Sequence, residues 1–254
     1  MSSIRLQFLG TGNAFNRDAR ASQAFLLGRE DGPTILVDAG PTVGLSFEQY
    51  GVDSTAIDAV FITHLHGDHI AGWPFLVLRW VFIDARTRPL DVWGPAGVRE
   101  RLEGLFELCY GDVTRSGRIA FETRWHELAI AEARGVRADD LGLTFDTLPV
   151  EHTGSSLAYR FVFDERSIAV TGDTRWCAAV ETLAKDSDLL ALECTTLEES
   201  DAMHVSLAEV RANVASLAAC ATVLVHLEDT VALALEETPI ANVLVADDGM
   251  VIEL

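Results

Sequence analysis

The chain has 254 residues and a formal net charge of −20 at pH 7, because 19 Lys and Arg stand against 39 Asp and Glu. Its hydrophobic content of 49% argues against intrinsic disorder despite this charge. Proteins that bind nucleic acid use Lys and Arg to displace counterions from phosphates, so the acidity disfavours a polynucleotide partner. General solubility is the alternative explanation of the charge.

No apolar run reaches the roughly 18–20 residues of a membrane span, and the first residues lack the apolar stretch of a signal peptide. We therefore expect a cytoplasmic protein without a membrane partner. The four cysteines, Cys109, Cys177, Cys194 and Cys220, match no zinc-binding or C-x-x-C spacing. We expect them to be reduced, small, apolar residues of the core.

Short apolar runs alternate with helical patterns along the first half of the chain. Runs with alternating or β-rich composition predict strands over residues 4–8, 24–27, 34–37 and 59–63. Helices are predicted over residues 70–83 and 98–108. The first of these helices is apolar on nearly every face, so we expect it either in the core or in a homodimer interface.

The second half continues the alternation. Predicted strands cover residues 144–150, 157–163, 168–171 and 222–225. A helix over residues 206–219 begins with Ser206 and has Glu209 three residues later, which is a capping-box pattern. Residues 243–245 and 250–252 flank an Asp-Gly pair, which predicts a hairpin. This mixture of strands and helices predicts an α/β fold.

Six consecutive residues after the strand predicted at 59–63 form a dense polar motif, His64-Leu65-His66-Gly67-Asp68-His69. Imidazole nitrogens and carboxylates are ligands of catalytic Zn²⁺, and a strand end that opens into a loop lets them surround an ion. Four ligands within six residues do not fit one ion comfortably. The motif therefore predicts two adjacent metals, with His64 and His66 on one and Asp68 and His69 on the other. A solvated polar loop is the alternative.

Three further candidate ligands, His152, Asp173 and His226, each follow a predicted strand. Each residue alone is typical of an ordinary loop or capping residue. Their shared position allows them to converge with the histidine motif at one sheet edge, and two metals need more ligands than the motif provides. We therefore expect these residues to complete the site.

These motifs resemble those of the metallo-β-lactamase superfamily over nearly the whole chain. The resemblance includes Phe8-Leu9-Gly10-Thr11-Gly12, Val37-Asp38-Ala39-Gly40 and Ala246-Asp247-Asp248-Gly249-Met250. It implies a four-layer αββα sandwich, formed by one domain over residues 1–254.

The resemblance also implies a full set of ligands for two divalent metal ions. The first ion would have His64, His66 and His152 as ligands. The second would have Asp68, His69 and His226, and Asp173 would bridge the two. Zn²⁺ is the expected ion, with Mn²⁺ or Fe²⁺ as alternatives.

Within the superfamily, the sequence is similar to the ribonuclease Z-like phosphodiesterases. Leu192-Glu193-Cys194-Thr195 resembles their H-E-A-T segment, with Leu192 in place of the histidine. Met203-His204-Val205-Ser206 resembles their G-H-S-T segment, whose histidine assists as a proton donor. The resemblance thus implies that His204 is a general acid. A surface histidine before the helix cap is the alternative.

Ribonuclease Z carries a long tRNA-binding arm between the ligands that match His152 and Asp173. Here these two residues are 21 positions apart, which leaves room for two short strands only. We therefore expect a small-molecule substrate and no tRNA processing. The resemblance implies hydrolysis of a small or cyclic phosphodiester by a metal-bridged hydroxide, with Asp68 and His204 in the catalytic centre.

Two other functions are compatible with the sequence. A lactonase, arylsulfatase or thioesterase would use the same scaffold, but lactonases often place a tyrosine where this chain has Trp176. A non-catalytic metal-binding or sensing module is the alternative of another class, and a complete ligand set with a candidate acid argues against it. Asp38 would either hydrogen-bond a metal-binding histidine or stabilise the loop. A plain turn aspartate before Gly40 is the alternative.

Overall fold

The computed structural model describes residues 3–29, 31–199, 203–217 and 221–254. The strands are β1 (Ile4–Gly10), β2 (Ala24–Arg29), β3 (Thr34–Val37), β4 (Ile57–Phe61), β5 (Leu90–Pro95), β6 (Thr123–Leu128), β7 (Ala133–Ala138), β8 (Leu143–Pro149), β9 (Leu157–Phe163), β10 (Arg166–Val170), β11 (Leu189–Glu193), β12 (Ala221–Val225), β13 (Val243–Val245) and β14 (Val251–Glu253). The α-helices are α1 (Val43–Tyr50), α2 (Gly67–Ile70), α3 (Trp73–Phe82), α4 (Val98–Arg115), α5 (Ala178–Lys185), α6 (Leu207–Ala212) and α7 (Asp229–Glu237).

The strands form two sheets, each with seven strands in the described part of the chain. The order is β14-β1-β2-β3-β4-β5-β6 in the first sheet and β13-β12-β11-β10-β9-β8-β7 in the second. Strands β3 to β6 run parallel, as do β10 to β13, and the remaining pairs are antiparallel. Parallel strands end at a common edge, which is where open α/β sheets place their functional loops.

An aromatic core fills the space between the two sheets. Phe61 of β4 lies edge-to-face against Phe145, Tyr159 and Phe161 of the second sheet, with ring centroids 5.0, 5.4 and 4.9 Å away. Helices α1, α3 and α4 cover the outer face of the first sheet, and α5, α6 and α7 cover the outer face of the second. These four layers confirm the predicted αββα sandwich.

The apolar segment predicted as one helix over residues 70–83 forms the end of α2 and all of α3. One face of α3 is buried against the first sheet through Trp73, Leu76 and Trp80. The opposite face leaves large apolar side chains exposed, namely Phe75, Phe82 and, just after the helix, Ile83. The expectation of core burial is therefore confirmed for one face of the helix only. A homodimer interface on the other face stays a prediction.

The hairpin predicted around residues 243–252 is wrong. Strand β13 pairs with β12 in the second sheet, whereas β14 pairs with β1 in the first. The intervening turn carries the chain across the sandwich, with Gly249 in the left-handed region at φ 86°. The D-G pattern indicates the turn correctly, but local residues do not specify which sheet each short strand joins.

The cysteines do not share one environment. Cys194 is buried, Cys177 is half-buried and Cys109 is exposed, and all three are free. The core expectation is wrong for Cys109 because it lies on the solvent face of α4. Cys220 lies outside the described residues.

No helix in the described ranges is long and apolar enough to cross a membrane. The cytoplasmic location and the single domain over residues 1–254 stay predictions.

Candidate metal centre

Four strand ends bring candidate ligands to one end of the sandwich. His64 follows β4, His152 follows β8, Asp173 follows β10 and His226 follows β12. Strand β4 belongs to the first sheet and the other three strands belong to the second. The site therefore lies across the ends of both sheets, whereas the sequence pattern predicted a single sheet edge.

The two sheets are joined directly behind the histidine motif. The Leu157 amide donates to the carbonyl oxygen of Thr63 at 2.9 Å. The buried Tyr159 hydroxyl donates to the carbonyl oxygen of Ile62 at 2.8 Å. Because β9 also pairs with β8 and β10, whose ends carry two of the ligands, these bonds hold ligands from both sheets in register.

His64, His66, His152 and Asp173 form a first cluster, in which one ligand atom from each residue lies within 4.8 Å of the others. Nδ1 of His152 donates to the carbonyl oxygen of Met203 at 2.8 Å, which leaves its Nε2 for the cluster. Burial lowers the pKa of His152 and lowers the pKa of His64 well below its usual value. Both imidazoles are therefore in the neutral form that binds a metal.

A second cluster likewise has one ligand atom from each residue within 4.8 Å of the others, and it consists of Asp68, His69, Asp173 and His226. Nε2 of His226 lies 3.2 Å from Oδ2 of Asp68, and Nε2 of His69 lies 3.2 Å from Oδ1 of Asp173. Burial alone would raise the pKa of Asp68, but hydrogen bonds with His226 and His69 lower it well below its usual range. Asp173 belongs to both clusters, which is the position of a bridging ligand.

Asp38 supports the second cluster from behind. Its Oδ2 lies 2.7 Å from Nδ1 of His69, and its Oδ1 accepts from the Thr63 amide at 2.8 Å. Asp38 thus orients a candidate ligand and also fixes the loop, so both proposed roles apply. Burial opposes a charge on His69, but the carboxylates of Asp173 and Asp38 raise its pKa well above its usual value. A metal bound there would displace this proton.

Several buried polar atoms of the two clusters make no hydrogen bond within the described residues, namely Nε2 of His64, Nε2 of His69 and Oδ1 of Asp173. The last two atoms lie 3.2 Å apart as an ion pair. A buried polar atom without a hydrogen bond costs about 1–3 kcal/mol, so three such atoms in one place indicate a missing group. Imidazole and carboxylate donors suit Zn, Mn or Fe. The residues present therefore fit two divalent cations.

His204 lies beside both clusters, with its ring centroid 4.9 Å from that of His152 and 5.3 Å from that of His226. Its Nδ1 lies 2.8 Å from Oε1 of Glu193, a fully buried residue at the end of β11. Burial, and then the nearby Asp173 carboxylate, raise the pKa of Glu193 well above its usual range.

All seven predicted ligands and His204 lie together at this end of the sandwich. Their function as ligands or as a proton donor stays a prediction. The sequence alone assigns no role to Glu193, although Glu193 lies in the H-E-A-T-like segment. A carboxylate that ends an otherwise apolar strand is the signal that could have found it.

The segment between His152 and Asp173 is short. It is fully described and consists of the β9–β10 hairpin with its adjoining loops, and the hairpin turn is at Asp164 and Glu165. No arm extends from this segment.

Comparisons with known proteins find related sequences and the same fold. A family model described as the anti-Pycsar protein Apyc1 matches residues 4–245. The ribonuclease Z of Halobacterium salinarum is 32% identical, and the match covers 76% of this chain and 75% of that protein. The ribonuclease Z of Haloferax volcanii is 38% identical over 65% of this chain, but the match spans about half of that relative's length, 48%.

Solved structures show the same fold. Human short-form tRNase Z has a TM-score of 0.77 and 23% identity, with 98% of each chain covered. YhfI from Bacillus subtilis, a metallo-β-lactamase fold protein, has a TM-score of 0.76 and 20% identity, with 99% of this chain and 100% of that chain covered. Zn²⁺-bound PqqB from Methylobacterium extorquens has a TM-score of 0.71 and 15% identity, with coverage of 98% and 100%.

The predicted superfamily, its ribonuclease Z-like branch and the hydrolase class are confirmed by these matches. The chain belongs to the Apyc1 family, among the ribonuclease Z-like metal-dependent hydrolases of the metallo-β-lactamase superfamily.

Proposed function

We propose that the protein is a dinuclear metal-dependent phosphodiesterase that acts on a small or cyclic phosphodiester. The observation that carries this proposal is the shared position of Asp173 in two adjacent clusters of candidate ligands. A carboxylate in this position would hold two cations side by side, which is the arrangement suited to displacement at the phosphorus of a phosphodiester.

His64, His66 and His152 would hold one ion, and Asp68, His69 and His226 the other, with Asp173 between them. When bound, the two ions supply an activated water molecule and neutralise the charge that develops on the phosphate oxygens. Zn²⁺ is the favoured ion because histidine nitrogens and carboxylate oxygens are among its usual ligands. Mn²⁺ or Fe²⁺ are the alternatives.

The chain's own residues would orient the water and move the protons. The Asp68 side chain is 13% exposed, whereas that of Asp173 is only 2% exposed, so Asp68 is the carboxylate that reaches the cleft and can orient the attacking water. Glu193 holds Nδ1 of His204, which leaves Nε2 as the nitrogen that donates a proton to the leaving oxygen.

A small substrate fits the surroundings of the centre better than tRNA does. The β9–β10 hairpin occupies the position where ribonuclease Z would carry its arm, and the net charge of −20 opposes a polyanion. A lactonase is disfavoured because the Trp176 indole N–H donates to Glu181 of α5, at 3.3 Å, so its polar atom is engaged away from the reacting centre.

A substrate panel tests the proposal. The zinc- or manganese-loaded protein would be assayed on bis-p-nitrophenyl phosphate, 2′,3′- and 3′,5′-cyclic nucleotides, lactones, aryl sulfates and a tRNA precursor. We expect turnover of the diesters and none of the tRNA precursor. Activity on lactones or sulfates with none on diesters would contradict the proposal, and no turnover with full metal loading would favour a binding or sensing module.

A further inference from the structure

Among the seven candidate ligands, His226 is the only one whose backbone lies in the left-handed region, with φ 55°. Non-glycine residues adopt this conformation rarely, and it persists only where neighbours hold it in place. The Thr195 hydroxyl donates to the carbonyl oxygen of His226 at 2.9 Å. On the other side, the Leu227 amide donates to the carbonyl oxygen of Thr11 at 3.1 Å.

Thr11 is itself held by a carboxylate from the far end of the chain. Its amide and its hydroxyl both donate to Oδ1 of Asp248, at 2.9 and 2.7 Å. Oδ2 of the same carboxylate accepts from the Ala21 amide at 2.7 Å. Asp248 therefore satisfies three donors from the two ends of the loop between β1 and β2, and fixes the position of the Thr11 carbonyl.

Arg20 reinforces this arrangement. Its side chain is 9% exposed, and Nη1 donates to the Thr11 hydroxyl and to the Ala246 carbonyl oxygen, both at 2.9 Å. A guanidinium has no acceptor and a fixed geometry, so these bonds restrict where Thr11 can move. Thr11, Arg20 and Asp248 together form what we call the Thr11 clamp.

We propose that Asp248 is a positioning residue for the second metal cluster. It fixes Thr11, the Thr11 carbonyl holds Leu227, and Leu227 holds the strained backbone that aims His226 at Asp68. This inference rests on the proposed two-ion centre. Asp248 itself touches neither an ion nor a substrate. Because it acts through His226, its loss should weaken binding of the second ion and leave the first cluster intact.

Metal binding of two neighbouring aspartate variants provides the test. Asp248→Ala removes all three bonds of the clamp carboxylate. Asp247→Ala is the matched control, because this side chain belongs to the same turn, is 79% exposed and, among the described residues, pairs with Nη2 of Arg20 alone. Competition with a chromophoric zinc chelator should show the second zinc ion bound about 10- to 100-fold more weakly in Asp248→Ala. The first ion should bind to Asp248→Ala as it does to the wild type. Asp247→Ala should bind both ions with wild-type affinity.

A readout without metal separates positioning from general destabilisation. In the metal-free protein, the ring signals of His226 in NMR spectra should shift in Asp248→Ala and stay in place in Asp247→Ala. Phe163→Leu, at the 6% exposed end of β9, should lower thermal stability without changing either metal affinity. If Asp248→Ala does not fold, Asp248→Asn replaces it, because it keeps one acceptor for Thr11 and loses the acceptor for Ala21.

Three results would overturn the inference. The Asp248 variant could bind both ions with wild-type affinity, or it could lose affinity for both ions to the same extent. Phe163→Leu could also show the same selective loss of the second ion. The chelator competition uses no substrate. A protein that binds two ions with this pattern but hydrolyses no phosphodiester would therefore refute the proposed function and leave the role of Asp248 standing.

Discussion

Nδ1 of His204 and Oε1 of Glu193 are 2.8 Å apart, and Glu193 is completely buried. The same side chain accepts from the Thr174 amide at 2.8 Å, and its Oε2 lies 3.2 Å from the Thr195 hydroxyl oxygen. Nε2 of His204 makes no hydrogen bond with the residues that the structure describes. A buried, fully engaged carboxylate therefore orients the imidazole and leaves one nitrogen for proton transfer.

Loss of His204 should slow the reaction without removing metal. We expect His204→Ala to lower kcat by about 10²–10⁴ on a diester with a poor leaving group, because such a group needs a proton as it departs. The loss should be smaller on bis-p-nitrophenyl phosphate, whose leaving group needs no proton. Steady-state kinetics on both substrates, together with metal analysis, provide the measurement.

Glu193→Gln is the companion variant. It keeps the size of the side chain but removes the carboxylate that orients His204, so we expect a smaller rate loss with the same dependence on the leaving group. Unchanged turnover of the poor-leaving-group substrate in His204→Ala would remove the proton-donor role.

Asp173 is the residue whose loss should affect both ions. Because it lies in both clusters, Asp173→Ala should bind at least one ion fewer and lose turnover. Asp164→Ala, in the exposed β9–β10 turn, is a matched acidic control that should keep both ions and full turnover. Elemental analysis of the dialysed proteins measures the ions per chain. Full metal content and full rate in Asp173→Ala would show that the bridging assignment is wrong.

The protonation of His69 in the metal-free protein gives a pH prediction. Burial lowers its pKa, but Asp173 and Asp38 raise it well above the ordinary value of 6.5. The raised pKa stabilises the metal-free fold below about pH 6.5, and this contribution is lost as the pH rises through the folded-state pKa. Binding of the second ion requires loss of the same proton, so it should strengthen with rising pH.

Nitrogen-detected NMR of the histidine rings measures this directly. At pH 7 the metal-free protein should show both nitrogens of His69 protonated, while His64 is neutral because burial lowers its pKa. A neutral His69 at this pH would contradict the prediction.

The exposed face of α3 should mediate self-association. Phe75 and Ile83 are large apolar side chains in contact with solvent, and covering them would be favourable by the hydrophobic effect. We expect a homodimer at micromolar concentration that Phe75→Glu converts to a monomer. Leu233→Glu, an exposed apolar position on α7 in the other helical layer, is the control. Sedimentation of the wild type as a strict monomer would remove the dimer hypothesis.

Strands with clear period-2 or β-rich patterns were predictable from the sequence, and so was the convergence of their ends. The strand predicted at residues 59–63 is β4, which ends two residues earlier, at Phe61. Past this end the chain leaves the strand path, because the Thr63 amide donates to Asp38. The capping box of Ser206 and Glu209 forms as expected, but α6 stops at Ala212.

Long-range pairing could not be read from local patterns. Strand β11 is completely buried and was not predicted, because continuous burial removes the alternation that marks a strand. Glu193 contacts His204, which lies 11 positions later in a loop, and no local pattern predicts this contact. The Thr11 clamp joins residues 237 positions apart, between Thr11 and Asp248, and no spacing rule anticipates such a contact.

The most direct measurement is a metal titration of the apo-protein during turnover of a cyclic phosphodiester. The two clusters that share Asp173 predict hydrolysis that rises with the second equivalent of zinc or manganese and reaches a plateau at two ions per chain. A plateau at one ion per chain, or full loading with two ions and no hydrolysis of any phosphodiester, would contradict a dinuclear phosphodiesterase.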